Sequence, residues 1–469
     1  MSTKFLSLAF PFVVLLLPVA GCGTQRATER PDLVLVVIDT LRADHLGAYG
    51  YGRPTSPTLD AIAREGTLFT NADSTSSWTR PAMASLFTGR LPSVSGIAAS
   101  TDRVDPDLPT VAERLRAAGY RTVGVTGNFV HVNAESGLSA GFDHFDPVSM
   151  RSSEGSDVFF EIEGTPVRAP TAVEMNQRVF QTLDRLDDPA GPPLFLYVHY
   201  MDPHSGYMAP ERFRRRFGAQ RTGPPASSDY VVEVASGRIP VDAAERARLM
   251  DLYDAEIAAV DDAIGDLLAG LAARGVARPG VFFFVSDHGE EFADHGGWFH
   301  GFTLYREQLH VPLIVRDLRS PAAGARREEA VDLTDVAATL LALGGVEEAA
   351  DAPGRNLLAA APWVSRPRVA ELEHDALREK RVVPIRHRRA VTEWPWKALV
   401  DSHGEVSVHQ LERDPNEAAP GSLEDAGVPR SLREAARQLA VQAAVRRSAP
   451  PAPITPEERE GLRALGYAE

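Results

Sequence analysis

Four short apolar stretches in this chain each run into a polar cluster whose residue types can do chemistry. "LVLVVI" (33–38) ends at Asp39 and Thr40, and "RTVGV" (121–125) ends at Thr126, Gly127 and Asn128. "LFLYV" (194–198) ends at "HYMDPH" (199–204), and "VFFFV" (281–285) ends at Ser286, Asp287, His288 and Gly289. Carboxylates and an imidazole brought together can hold a divalent cation, and such a cation polarises an ester oxygen or activates a hydroxyl. A plainer reading stands beside this for Asp39 alone, because an aspartate after a strand often caps the next helix. Four clusters at the same place relative to four apolar runs are harder to explain as caps.

Bringing those clusters together is a task for the elements behind them. Short apolar runs bounded by turn residues fit strands buried on both faces, as in a parallel sheet. Helical patterns lie between them, at "LPTVAERLRAAGY" (108–120) and across 244–275. Strands alternating with helices predict an α/β sheet with right-handed crossovers, and ligands of such sheets bind beyond the carboxyl ends of the strands. Asp39, Asn128, Asp202, His204, Asp287 and His288 should therefore converge on one edge. After about residue 365, "RVAELEH", "RRAVTEWPWKALVD" and "EVSVHQLERDP" read as short strands of a small antiparallel subdomain. "VPRSLREAARQLAVQAAVRRSA" is helical, and Thr455, Pro456 and Glu458 form a capping-box start near the end. Polar insertions at 147–170 and 205–242 are expected to form the rim of the pocket.

With 469 residues there is room for one large α/β domain and a smaller appendage, or for two domains. A net charge of −15 argues against nucleic acid or an anionic membrane surface as the main partner. The basic run "ERFRRRFGAQR" (211–221) reads as a solvated loop face. At the N-terminus, Lys4 precedes an apolar stretch from Phe5 to Ala20, the layout of a signal peptide. Val19-Ala20-Gly21-Cys22 resembles a bacterial lipobox, whose cysteine is lipidated, and Cys22 is the only cysteine in the chain. No intramolecular disulfide is then possible. Gly23 resembles the sorting position of outer-membrane lipoproteins, which implies a protein anchored in the cell envelope and facing the periplasm. The expected divisions are a signal peptide (1–22), a tether (23–31), a catalytic domain (32–364), the antiparallel subdomain (365–420) and a helical tail (421–469).

Over nearly all of residues 32 to 415 the chain resembles the sulfatase branch of the alkaline phosphatase superfamily. The resemblance rests on "LVLVVIDTLRADHLGAYGY" (33–51), "FLYVHYMDPHSGY" (195–207), "VFFFVSDHGEEFADHGGWFHGFTLYREQLHVPLIV" (281–315), "VDLTDVAATLLALGGV" (331–346) and "HQLERDPNEAA" (409–419). "SSWTRPAMASLFTGR" (76–90) resembles the family's nucleophile loop, with Pro81 and the Leu86-Phe87-Thr88-Gly89-Arg90 ending in place. In that loop Thr79 stands at the formylglycine cysteine, Ala82 at the serine and Met83 at the arginine. The resemblance implies an α/β sandwich with a large mixed sheet flanked by helices and a small C-terminal antiparallel subdomain.

It also implies a metal-dependent hydrolase of anionic esters. Asp39, Asp287 and His288 would be ligands, Thr79 would face the metal, and Thr40 would stand where sulfatases usually have a second aspartate. One divalent ion is expected, Mn, Zn or Ca; the missing carboxylate and the imidazole shift the preference from Ca²⁺ towards Mn²⁺ or Zn²⁺. Asp202 with His204 and His300 is the weaker candidate for a second ion. By position, His204 contacts the ester and His300 the leaving group, with Asn128 and Arg80 as substrate-binding candidates. His199, His295 and His310 read as hydrogen-bonded structural residues.

Thr79 decides the substrate reading. A formylglycine hydrate has two hydroxyls, one to attack sulfur and one to expel sulfate. Threonine has one, and oxidation of its β-carbon would give a ketone. A sulfated threonine would have no internal exit, whereas activated water can release a phosphorylated one. The expectation is therefore a phosphoric or phosphonic ester, on a small molecule, glycan or lipid headgroup, ahead of a sulfuric ester. Two alternatives stay open. The chain is a sulfuric ester hydrolase without formylglycine, or Thr79 merely caps the helix after it and the protein is an inactive binding lipoprotein.

Overall fold

The computed structural model describes the chain from Arg30 to Val445, apart from residues 100, 150, 153–159, 163–164, 187–190, 220–227, 277–279, 321–323, 360–365, 374–386 and 402. The signal-peptide stretch with Cys22, nearly all of the tether and the capping box at Thr455 lie outside the described residues.

The main sheet holds, in chain order, β1 (Leu33–Ile38), β2 (Thr67–Asp73), β3 (Arg121–Thr126), β4 (His144–Pro147), β5 (Leu194–Tyr200), β6 (Val281–Val285), β7 (Leu313–Asp317) and β8 (Ala325–Asp332). Their order across the sheet is β8-β2-β7-β6-β1-β5-β3-β4. Only β7 runs against its neighbours, pairing antiparallel with both β6 and β2; every other described pairing in this sheet is parallel. The sheet is mixed, as expected. β1 lies between β5 and β6, and all six of its residues are buried.

Alternation along β1 explains the layers. Val34, Val36 and Ile38 face a core completed by helices α1 (Pro57–Glu65), α4 (Ala172–Leu186) and α5 (Ala243–Ala273), numbered in chain order. Leu33, Leu35 and Val37 face a second core built with α2 (Thr79–Thr88), α3 (Val111–Ala117) and α6 (Leu333–Leu343). Each such side chain contributes about 1.5–3 kcal/mol by leaving water, so a wholly apolar strand pays its way only in the middle of a two-faced sheet.

Two elements differ from the sequence reading in ways that have local causes. The helix expected over 108–120 spans Val111–Ala117, because a capping box of Thr110 and Glu113 starts it there. The strand expected over 194–198 continues through His199 and Tyr200, which pair in register with Val37 and Ile38.

The C-terminal strands β9 (Arg368–Glu371), β10 (His387–Glu393), β11 (Trp396–Asp401) and β12 (Val406–Gln410) form a separate antiparallel sheet in that order. Helix α7 (Arg430–Val445) packs on it through Leu432 and Ala436. Among the described residues, no helix is long and apolar enough to cross a membrane.

Candidate active site

The carboxyl ends of β1, β3, β5 and β6 lie side by side, and the expected polar clusters meet there. Asp39 follows β1 directly, and its Oδ2 accepts a hydrogen bond of 2.7 Å from Asn128 Nδ2. Asp287 and His288 follow β6, and Asp287 Oδ1 accepts from the amides of Thr40 (3.2 Å) and His288 (2.9 Å). Asp39, Asp287 and His288 each offer a ligand atom, all within 4.8 Å of one another, and among the described residues this is the group with such geometry. All three are fully buried. Gly289 follows them without a side chain because a Cβ there would lie 2.1 Å from the carbonyl oxygen of Glu307.

Three observations fit this group to a divalent cation. First, Asp39 Oδ1 and Asp287 Oδ2 are buried with no hydrogen-bond partner. Second, His288 Nδ1 lies 3.0 Å from the carbonyl of Gly289, so Nδ1 carries the proton. Nε2 is then the nitrogen that faces Asp287 Oδ2 at 3.4 Å and Asp39 Oδ1 at 3.7 Å. Third, the two carboxyls are pulled apart electrostatically. Burial, and then the charge of Asp39, push Asp287 well above the ordinary carboxylate range. Burial would raise Asp39 too, but the contact from His199 and the histidines around it hold it below that range. A cation between them removes the conflict.

Thr79 is the first residue of α2 and is 1% exposed. Its side chain makes no cap; Trp78 occupies the cap position, also without a side-chain hydrogen bond. The capping explanation of Thr79 is therefore wrong. Its Oγ1 instead lies 3.2 Å from His288 Nε2 and 3.4 Å from Asn128 Nδ2. The positive end of the α2 dipole is at the same place, where it favours an anion. Gly89 closes the helix at φ +68 with its amide on the carbonyl of Ser85, a left-handed cap that glycine takes without strain.

His204 and His300 are both buried, their ring centroids 5.0 Å apart, and the His300 ring is 4.5 Å from that of His288. Burial lowers the His204 imidazole below its ordinary value. A cavity of about 270 Å³ opens beside His204, lined by Arg168 and Ala169 from one polar insertion and by Gly206, Met208 and Pro210 from the other.

Several expected residues take other roles. Arg80 donates Nη1 to the carbonyl of Asp102 and Nη2 to that of Val130, tying down the loop that carries Asn128. Thr40, expected beside the ligands, gives its amide to Asp287, while its Oγ1 is buried without a hydrogen-bond partner. Asp202 pairs with Glu256 rather than with His204 and His300; burial raises both carboxyls, and the charge and hydrogen bond of Asp202 raise Glu256 further, whereas the hydrogen bond with Glu256 pulls Asp202 back down. The second-ion group is not assembled there. His295, on Glu307 at 2.8 Å, and His310, on the carbonyl of Thr70 at 2.9 Å, are structural as expected. His199 also sits against the ligand group: Nε2 lies 3.3 Å from Asp39 Oδ2, and Nδ1 is 2.8 Å from the Tyr197 hydroxyl. Glu290, which the sequence reading passed over, holds His300 Nδ1 at 2.9 Å through Oε1. Its signal was visible, an acid directly after the Asp-His-Gly triplet in a stretch with no helical period to expose it.

Residues 31–346 match the sulfatase family model. The chain belongs to the sulfatase family. It is a hydrolase acting on ester bonds. Human iduronate 2-sulfatase is 26% identical over 381 residues, covering 69% of this chain and 67% of the relative. A solved structure bound to its substrate D-glucosamine-2-N,6-O-disulfate superposes with a TM-score of 0.70 at 19% identity, covering 90% of this chain and 99% of that one. The phosphonate monoester hydrolase of Agrobacterium radiobacter superposes with a TM-score of 0.67 at 19% identity, covering 88% and 96%. These likenesses show that this sulfatase-family chain shares the fold of those two structures, and Asp39, Asp287 and His288 form a group that could hold a metal ion.

Proposed function

We propose that this chain hydrolyses a phosphoric or phosphonic ester in preference to a sulfuric ester, with Thr79 as nucleophile. The observation that supports this most is the seat of Thr79 Oγ1, 3.2 Å from His288 Nε2 and 3.4 Å from Asn128 Nδ2, uncommitted to the helix it opens. Asp39, Asp287 and His288 would hold one divalent cation, with Mn²⁺ or Zn²⁺ favoured by the imidazole and the missing second aspartate. When bound, that cation supplies Lewis acidity that favours the alkoxide of Thr79 and offsets charge on the ester oxygens.

The chain's own residues account for the rest. Thr79 Oγ gives up its proton to water and attacks phosphorus in line, forming an Oγ–P bond as the bond to the leaving oxygen breaks. The leaving oxygen takes a proton from His300, whose Nδ1 is held by Glu290, with His204 beside it, a contribution typically of ~10²–10⁴ in rate. Asn128 donates to Asp39 and to Oγ1, which orients both. Water then attacks the same phosphorus, the Oγ–P bond breaks, and the hydroxyl of Thr79 is restored. The sum is ester plus water to acid plus alcohol. A sulfated Thr79 has no internal exit, because with one hydroxyl it cannot expel sulfate as an aldehyde hydrate does.

The test is turnover of p-nitrophenyl sulfate, phosphate, phosphonate and diester substrates by the metal-loaded protein and by Thr79→Ala. Phosphorus esters should be cleaved fastest. Thr79→Ala should lower turnover by ~10³-fold or more while metal content is unchanged. Faster cleavage of the aryl sulfate than of any phosphorus ester would sink the substrate assignment, and turnover retained in Thr79→Ala would sink the nucleophile.

We also propose that Cys22 carries a lipid that anchors the protein in the cell envelope. Cys22→Ala should move the protein from the membrane to the soluble fraction; unchanged membrane association counts against it.

A further inference from the structure

We propose that Tyr253 is a positioning residue for the metal site: its hydroxyl clamps the left-handed turn at Thr40, and that turn keeps Asp39 and Asp287 in register. The inference rests on the reading that Asp39, Asp287 and His288 hold a divalent cation.

Thr40 has φ +55. A β-branched residue is a true outlier in that region, and it stays there only when its surroundings over-determine it. The surroundings here are specific. The amide of Asp39 is fixed on the carbonyl of Tyr200 at 3.1 Å, and that of Leu41 on Ser286 Oγ at 2.9 Å. Between those points, Tyr253 reaches in from α5 on another layer of the molecule. Its hydroxyl donates to the carbonyl of Thr40 (2.7 Å) and accepts from the amide of Arg42 (2.9 Å). Tyr253 is fully buried. The Thr40 side chain adds nothing to the clamp, since its Oγ1 has no hydrogen-bond partner.

The turn matters because of where its amide goes. Thr40 N–H donates to Asp287 Oδ1 at 3.2 Å, which leaves Oδ2 as the oxygen towards His288 Nε2. The same residue follows Asp39 directly. If the turn relaxed towards negative φ, the amide would swing away from Asp287 and the two carboxylates would lose their common reference. Partners of this outer kind typically cost ~10–100-fold in metal affinity when removed.

The experiment uses the full chain, stripped with a chelator and titrated with Mn²⁺ by isothermal calorimetry. Tyr253→Phe, which deletes only the hydroxyl, should weaken Mn²⁺ binding by ~10–100-fold. Adding Thr40→Gly should return the affinity close to the wild-type value, because glycine adopts positive φ without a clamp. Adding Thr40→Ala instead should not, because alanine keeps the Cβ. Thr40 is fully buried, so Thr40→Gly alone removes side-chain atoms from the interior, but it keeps the amide from which Asp287 accepts and should still take up Mn²⁺. The proposal is overturned if Tyr253→Phe binds Mn²⁺ as tightly as wild type, or if glycine rescues no better than alanine. It is also overturned if Thr40→Gly alone loses the ion, since the threonine side chain would then be what the site needs. A wild-type chain that takes up none of Mn²⁺, Zn²⁺ and Ca²⁺ overturns the metal reading instead, which separates the two failures.

Discussion

On the proposed reading, a single hydroxyl at position 79 sets the chemistry open to this site, but departure of the leaving group would depend on residues that never touch phosphorus. His300 has its Nδ1 on Glu290 Oε1 at 2.9 Å, and both side chains are buried. A carboxylate on one nitrogen fixes the ring and supports charge on the other, the role the aspartate plays in a serine protease triad. Burial, and then the charge of Asp39, push the Glu290 carboxyl up; a cation neutralising Asp39 removes the second cause. Such support matters only when the leaving oxygen is a poor one. Glu290→Gln should therefore slow alkyl esters by ~10-fold or more while p-nitrophenyl esters fall much less. The measurement is the dependence of kcat on leaving-group pKa, and an equal drop across the series would contradict the role.

At the scale of elements, α5 does more than fill one core. Besides Tyr253 it carries Asp261, which accepts hydrogen bonds from the amides of Thr58 (2.9 Å) and Leu59 (2.8 Å) and so caps α1 from another helix. Burial raises the Asp261 carboxyl from 3.8 to about 6 despite those amides. A raised folded-state value means that the folded chain holds the proton more tightly than the unfolded one. The stability this contributes is present below about pH 4 and is lost as pH rises through about 6. Thermal unfolding of wild type and Asp261→Asn should show the wild-type advantage shrinking from about pH 4 to about pH 7. An advantage that stays flat or grows contradicts the assignment. This cap also marks what the sequence can and cannot convey. The strands at 33–38 and 281–285 are found where their apolar runs end, and the helix expected over 244–275 spans Ala243–Ala273. Those features are local, set by burial on two faces and by hydrophobic period. Asp261 on α1, Tyr253 on Thr40 and Glu290 on His300 are side-chain contacts, the first two across 203 and 213 positions. In the sequence, Tyr253 is simply an aromatic on a helix, and nothing in its neighbours distinguishes a clamp from core packing. The ligand group was legible because acids after strands share an edge by topology. The roles of Arg80, Thr40 and His199 were not, because the sequence does not say which way a side chain turns.

At the scale of the whole molecule, β1 has a direction. Asp32, just before it, is tied at the opposite edge of the sheet, its carboxylate on the amide of Leu194 at 2.8 Å and its carbonyl on the amide of Val281 at 2.9 Å. The chain thus enters the domain at one edge, and Asp39 and the proposed nucleophile Thr79 sit past the far end of the same strand. Six residues at ~3.3 Å each put ~20 Å between the two edges. A lipid on Cys22 would moor the edge that faces away from Thr79, so the reactive edge would look outward into the aqueous compartment. An ester in the headgroups of the mooring bilayer would then lie beneath the domain, on the side its catalytic edge does not face. What reaches Thr79 should arrive from the solvent above, as a free small ester or the loose end of a long glycan. Released by Cys22→Ala, the protein should cleave soluble esters at the rate of the anchored form; a drop on release would mean that the membrane itself delivers the substrate.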